Sequence, residues 1–136
     1  MKSLPRVAVP IAWMVVIWIL SSLPATAEHT LEGVWIPPIV QKAGHVAAYA
    51  FLAAAWSWAL ASSAWGTPLR IFTLCVFYGA ANEVNQIFVP GRTASVLDVP
   101  IDAVGAATAL VVLTITARSR VVSIPRAERG QEPQSE

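Results

Sequence analysis

The sequence predicts an all-α fold, a bundle of four transmembrane helices with both termini on the cytoplasmic side. Three observations lead there. The chain has 136 residues, of which 56% are apolar and only 12% charged, whereas soluble domains carry about 45–50% and about 25%. Residues 43 to 117 hold five charges, Arg70, Glu83, Arg92, Asp98 and Asp102, while the last eighteen residues hold six. Four apolar runs approach the roughly 20 residues that a helix rising about 1.5 Å per residue needs to cross a bilayer. A water-soluble globule is excluded by the first two observations. Nucleic acid is excluded as a partner, because the net charge is +1 and the cations are scattered. The single cysteine, Cys75, sits in an apolar run and rules out an internal disulfide or a Cys-based metal cluster.

The first run, Val7 to Leu23, follows Lys2 and Arg6. A charged start, an apolar stretch and A-T-A at residues 25 to 27 also fit a cleaved signal peptide. Its length of 17 residues and its bulky Trp13 and Trp18 favour a retained span. The second run is Gly44 to Trp65, the third Leu69 to Phe88 and the fourth Leu97 to Ala117. W-G-T-P at 65 to 68 and V-P-G-R at 89 to 92 are stops followed by turns, so consecutive spans are antiparallel neighbours. Cations collect on the cytoplasmic side of short loops. Lys2, Arg6, Arg70, Arg118, Arg120, Arg126 and Arg129 fall on one side and Lys42 and Arg92 on the other, and this seven-to-two split sets the orientation. Residues 1–117 form the membrane domain; residues 118–136, polar and broken by Pro125 and Pro133, read as a disordered cytoplasmic tail. The six tryptophans read as interfacial anchors or lipid-facing bulk. Gly79, Gly105 and Ala106 are small enough for close helix approach.

Against this background four polar segments converge on the outer leaflet. S-S-L-P at 21 to 24 ends the first span. Lys42, His45 and Tyr49, spaced i, i+3, i+7, put an amine, an imidazole and a phenol on one helical face. Asn82, Glu83 and Gln86 share a face at the end of the third span, and Asp98 and Asp102 lie one turn apart at the start of the fourth. The uninterrupted apolar stretch of the third span, Ile71 to Ala81, has 11 residues, so its polar end must be drawn into the membrane. A carboxylate there costs at least about 2.5 kcal/mol unless it faces the bundle interior and finds a partner. Arg92, in the short third connection, is placed to meet Glu83 or Asp98. Singly, each polar residue is explained by capping or snorkelling. Together they exceed what helix register requires, and intramembrane ionisable residues are functional candidates by default.

The run S-S-L-P, then K-x-x-H-x-x-x-Y, then N-E-V-N-Q-I-F-V-P-G-R-T-A-S-V-L-D-V-P-I-D-A-V-G resembles the VanZ-like family of small bacterial membrane proteins. The resemblance covers residues 21 to about 110, and the long third motif is its specific part. It implies a multi-pass protein of the bacterial cytoplasmic membrane, similar to a factor linked to teicoplanin-type glycopeptide resistance. Carried over by position, the family's polar residues fall on Lys42, His45, Glu83, Gln86, Arg92, Asp98 and Asp102. The chain departs from the family where Asn82 precedes Glu83 in place of an Asp-Glu pair, and where Gln41 precedes Lys42 in place of an Asp.

These residues predict an outward-facing polar pocket that binds or modifies a membrane lipid, a lipid-linked envelope intermediate or a glycan headgroup. Glu83, Asp98, Asp102 and His45 are the candidate catalytic groups, since carboxylates sharing a site suit general acid–base work. Lys42, Arg92, Gln86, Tyr49 and Asn82 are the candidate binding groups. The sequence assigns no metal ligands and names no cofactor. The alternative is a non-enzymatic scaffold or partner-binding bundle whose polar cluster is structural. A transporter is disfavoured because four spans without an internal repeat give little to alternate.

Overall fold

The computed structural model describes residues 5–24, 30–31, 34–35, 37–63, 66–92 and 94–122. Its elements are α1 (Ala8–Ser21), β1 (Thr30–Leu31), β2 (Val34–Trp35), α2 (Pro38–Ala59), α3 (Pro68–Gln86) and α4 (Asp98–Val122). The four expected helices are present. The expected signal-peptidase triplet at 25 to 27, His29, and residues 123–136 of the expected tail lie outside the described residues.

Pro10 sits in the first turn of α1, where a proline's missing N–H costs nothing. The connection after α1 carries a feature not foreseen from sequence, an antiparallel pair of two-residue strands with Thr30 opposite Trp35 and Leu31 opposite Val34. Such short strands leave no periodicity to read.

α2 has 22 residues, the length of the expected span, but it is displaced six residues towards the N-terminus. The displacement has a local cause: Pro37 is extended at ψ 143°, and Pro38 takes the first helical position, where its fixed φ suits a helix start. Gln41 and Lys42 therefore stand on the helix and not ahead of it. α3 begins the same way, with Pro68 in its first turn after an extended Thr67. α4 runs on through Val122, five residues past the expected end at Ala117, because backbone hydrogen bonding continues irrespective of side-chain polarity.

α4 packs most extensively on α2 and next on α3; α1 packs on α2 and α3, and its backbone stays more than 8 Å from that of α4, Cα to Cα. The core is Ile17 of α1, Tyr49, Leu52 and Ala53 of α2, Ile71 and Cys75 of α3, and Ala106 and Leu110 of α4. Gly105 lets α2 and α4 meet, since a Cβ there would overlap the Val46 carbonyl. Trp13 departs from its expected lipid-facing place: it packs against the core, its ring edge-on to Phe51 at 4.8 Å, and its indole N–H donates to the Ala48 carbonyl.

Large apolar side chains cover the outside, Phe77 being 71% and Val111 56% exposed, while Asn82, Glu83, Gln86 and Asp102 are buried. Among the described residues one helix, over Asp98–Ser119, is long and apolar enough to cross a membrane by length and composition; α1 is apolar but shorter.

Candidate functional site

The polar residues gather at one end of the bundle, where α2 begins, α3 ends and α4 begins. His45 and Tyr49 occupy one face of α2, a turn apart. Asp102 faces them from the second turn of α4, 1% exposed. His45 Nδ1 lies 3.0 Å from Asp102 Oδ1. A buried carboxylate accepts, so Nδ1 carries the proton and Nε2 is left as the ring's other edge. The His45 side chain is 31% exposed. The pair thus joins a sealed acid to a half-open base.

Behind it runs a line of neutral groups. Asn82 Nδ2 donates to the Tyr49 hydroxyl at 2.9 Å, and Ser21 Oγ at the end of α1 donates to Asn82 Oδ1 at 3.1 Å. One turn further along α3, Asn85 Nδ2 donates to Ser22 Oγ at 2.9 Å. Ser22 also back-bonds the Trp18 carbonyl at 2.8 Å, the role expected of a serine at a helix end. Ser21 differs in sense: its buried hydroxyl, 3.4 Å from the Trp18 carbonyl, lies 3.1 Å from Asn82 Oδ1 and donates across to α3, where that of Ser22 accepts.

Glu83 is 7% exposed. Its Oε2 accepts from the Ser95 backbone N–H at 2.9 Å, and its Oε1 is buried without a hydrogen-bond partner. A buried acceptor left open costs free energy. Glu83, Asp98 and Asp102 all lie close enough to act electrostatically on His45. Gln86 is buried one turn beyond Glu83, Asp98 is half-buried, and Lys42 stands exposed one turn before His45.

Arg92 follows a turn built by Val89, Pro90, Gly91 and itself, with its N–H bonded to the Val89 carbonyl at 3.2 Å and Gly91 at φ 77°. Pro at the second position and a glycine with positive φ at the third make a type II turn. Of the two carboxylates expected to meet Arg92, Asp98 acts on it through space. Its Nε donates to the Leu23 carbonyl at 3.0 Å and its Nη2 to the Leu20 carbonyl at 3.1 Å. Partial burial pulls its pKa below the usual value, and the field of Asp98 opposes that pull. Carbonyls at and just beyond a helix C-terminus keep acceptor capacity that the helix ladder does not use. Apolar run lengths and charge spacings carry no signal for such a partner.

The structure therefore brings together His45, Tyr49, Asn82, Glu83, Asp98 and Asp102, with Gln86 buried beside them and Lys42 and Arg92 at the rim. Among the described residues no group of three or more His, Cys, Asp or Glu side chains is arranged to hold a metal ion. Two apolar grooves lie elsewhere, one of about 500 Å³ along Leu60, Arg70 and Phe77, the other of about 410 Å³ along Met14, Trp18 and Tyr78.

No curated protein and no solved structure matches the chain. The family model described as VanZ/LLP1 matches residues 7–117. That match takes in all of α1, α2 and α3, most of α4, and every residue of the polar end, so the chain is a member of the VanZ/LLP1 family.

Proposed function

We propose that this is a four-span protein of the bacterial cytoplasmic membrane, its termini cytoplasmic and its polar end in the outer leaflet. There His45 handles a proton on a lipid-linked or glycan headgroup, and the cellular role is one similar to that of proteins associated with glycopeptide resistance. The observation that carries the chemistry is the His45–Asp102 pair. Asp102 fixes the imidazole and leaves Nε2 for a ligand proton, the arrangement general acid–base catalysis requires. Glu83, buried at the same end, adds its field to that of Asp102 on the imidazole. Lys42, exposed and on a flexible stem, supplies a movable cation for an anionic group. The outward distribution of apolar side chains supports the membrane setting, because a surface of this kind is stable against lipid and not against water.

His45→Ala tests the site. Normal membrane abundance with loss of teicoplanin-type resistance in the host is the expected result, and wild-type resistance in both His45→Ala and Asp102→Asn at normal abundance would overturn it. Orientation is tested by labelling single cysteines in intact cells. Thr30→Cys and Thr93→Cys should react from outside and Gly130→Cys only after lysis, with Cys75 silent because it is buried.

A scaffold is the second reading, favoured by the polar bonds that join α1 to α3 and to the α3–α4 turn. On that reading, abundance falls in step with any phenotype.

A further inference from the structure

We propose that Ser21, Asn82 and Tyr49 form a one-way hydrogen-bond relay, each donating to the next, that ends on Asp102 and fixes how His45 is presented. The inference rests on reading His45 and Asp102 as the proton-handling pair. It moves Tyr49 and Asn82 from ligand binding, where the sequence places them, to positioning.

The sense of the relay follows from what each atom is able to do. An amide oxygen only accepts, so Ser21 gives its proton to Asn82 Oδ1. An amide NH2 only donates, so the Tyr49 hydroxyl accepts from Asn82 Nδ2. The phenol then has one proton to place. Asp102 and Tyr49 crowd together over Gly79, where a Cβ would stand 3.1 Å from Asp102 Oδ2 and 3.5 Å from the Tyr49 hydroxyl. The Tyr49 proton points to that carboxylate, while His45 Nδ1–H occupies Oδ1. Turning the Asn82 amide over would make Tyr49 surrender its proton to Asn82 and face a buried anion with a lone pair. The reversed chain is therefore the less stable one.

Burial assigns the roles. Ser21, Tyr49, Asn82 and Asp102 are each more than nine-tenths buried, so a ligand at the half-open His45 ring does not reach them. They act through Asp102. With two donors on it, the carboxylate stays in place as an acceptor and holds the imidazole with Nε2 turned to the ligand side. Gly79 belongs to this arrangement, since any side chain there would press on Asp102.

The full chain, isotope-labelled in lipid bilayers, tests the relay by solid-state NMR. In the neutral imidazole of His45, Nδ1 should be protonated and Nε2 bare, and the Tyr49 hydroxyl proton should show a through-space cross-peak to the Asp102 carboxyl carbon. Tyr49→Phe removes the last neutral donor and should shift the His45 Nδ1–H resonance downfield, as Asp102 concentrates on its one remaining partner. Asn82→Asp replaces a donor by an acceptor and should move the Tyr49 cross-peak from residue 102 to residue 82. A His45 ring protonated at Nε2, or a Tyr49 hydroxyl in the unaltered chain that contacts only the Asn82 carbonyl carbon, would overturn the proposal. Neither reading needs a variant to fold. Intact relay signals in a chain whose His45→Ala variant keeps full resistance would retire the proton-handling reading alone. Absent signals beside a lost phenotype would retire the relay alone.

Discussion

The buried stripe of α3 has two halves that share a geometry and differ in chemistry. Ile71 and Cys75 fill the first half; Asn82, Glu83 and Gln86 fill the second, with Gly79 between them. On the opposite side of the same helix Phe77 and Val84 are exposed. Burial here follows helix position and ignores polarity. In water such an arrangement would be inverted, with Glu83 outside and Phe77 inside. The comparison teaches that the first half holds the bundle by packing and the second by directed bonds, so the same truncation should do different things in each.

The largest expected effect is in the apolar half. Ile71→Ala leaves a cavity among fully packed neighbours and should lower stability by about 2–5 kcal/mol, read as a fall in thermal midpoint in detergent or bilayer. Next comes the outside. Phe77→Asp should cost about 2.5–3.5 kcal/mol of insertion free energy and reduce membrane abundance; normal abundance would show that this face meets water. Gly105→Ala pushes a methyl into the Val46 carbonyl and should cost about 1–3 kcal/mol by the same thermal assay. The smallest stability change belongs to the polar half. Glu83→Gln keeps an oxygen for the Ser95 N–H and puts an amide where Oε1 has no partner, so stability should move by less than about 1 kcal/mol while resistance is lost. A large loss of stability in Glu83→Gln would erase the distinction between the halves and favour the scaffold.

Much of this division is legible in the residues themselves. The 11-residue apolar stretch ending at Ala81 falls short of a span, and that shortage predicts the inward placement of Asn82, Glu83 and Gln86, which are buried. The spacing of His45 and Tyr49, and of Asp98 and Asp102, places the pair that the fold brings within 3.0 Å. What escaped is what a hydropathy pattern does not encode. The start of α2 is set by Pro37 and Pro38, two residues whose effect is on backbone angles and not on polarity. Two of the partners of Arg92 are main-chain carbonyls, which every residue possesses and no sequence distinguishes. Ser21 is indistinguishable in sequence from Ser22, yet one donates to Asn82 and the other accepts from Asn85, with about 100° around the helix axis between them.

The attachment of α1 has a consequence for assembly. The backbone of this helix stays clear of α4, and much of what ties it down is side-chain bonding: the Trp13 indole to Ala48, the Tyr78 hydroxyl to the Met14 carbonyl, Ser21 to Asn82, Asn85 to Ser22, and Arg92 to the Leu20 carbonyl. On the four-span reading proposed above, such bonds have no competing water and act as fasteners for a helix already inserted. α2, α3 and α4 can then close first and receive α1 last. A chain divided between residues 24 and 37 should reassemble from two co-expressed fragments, and the fragment lacking α1 should accumulate as a partly formed bundle awaiting it.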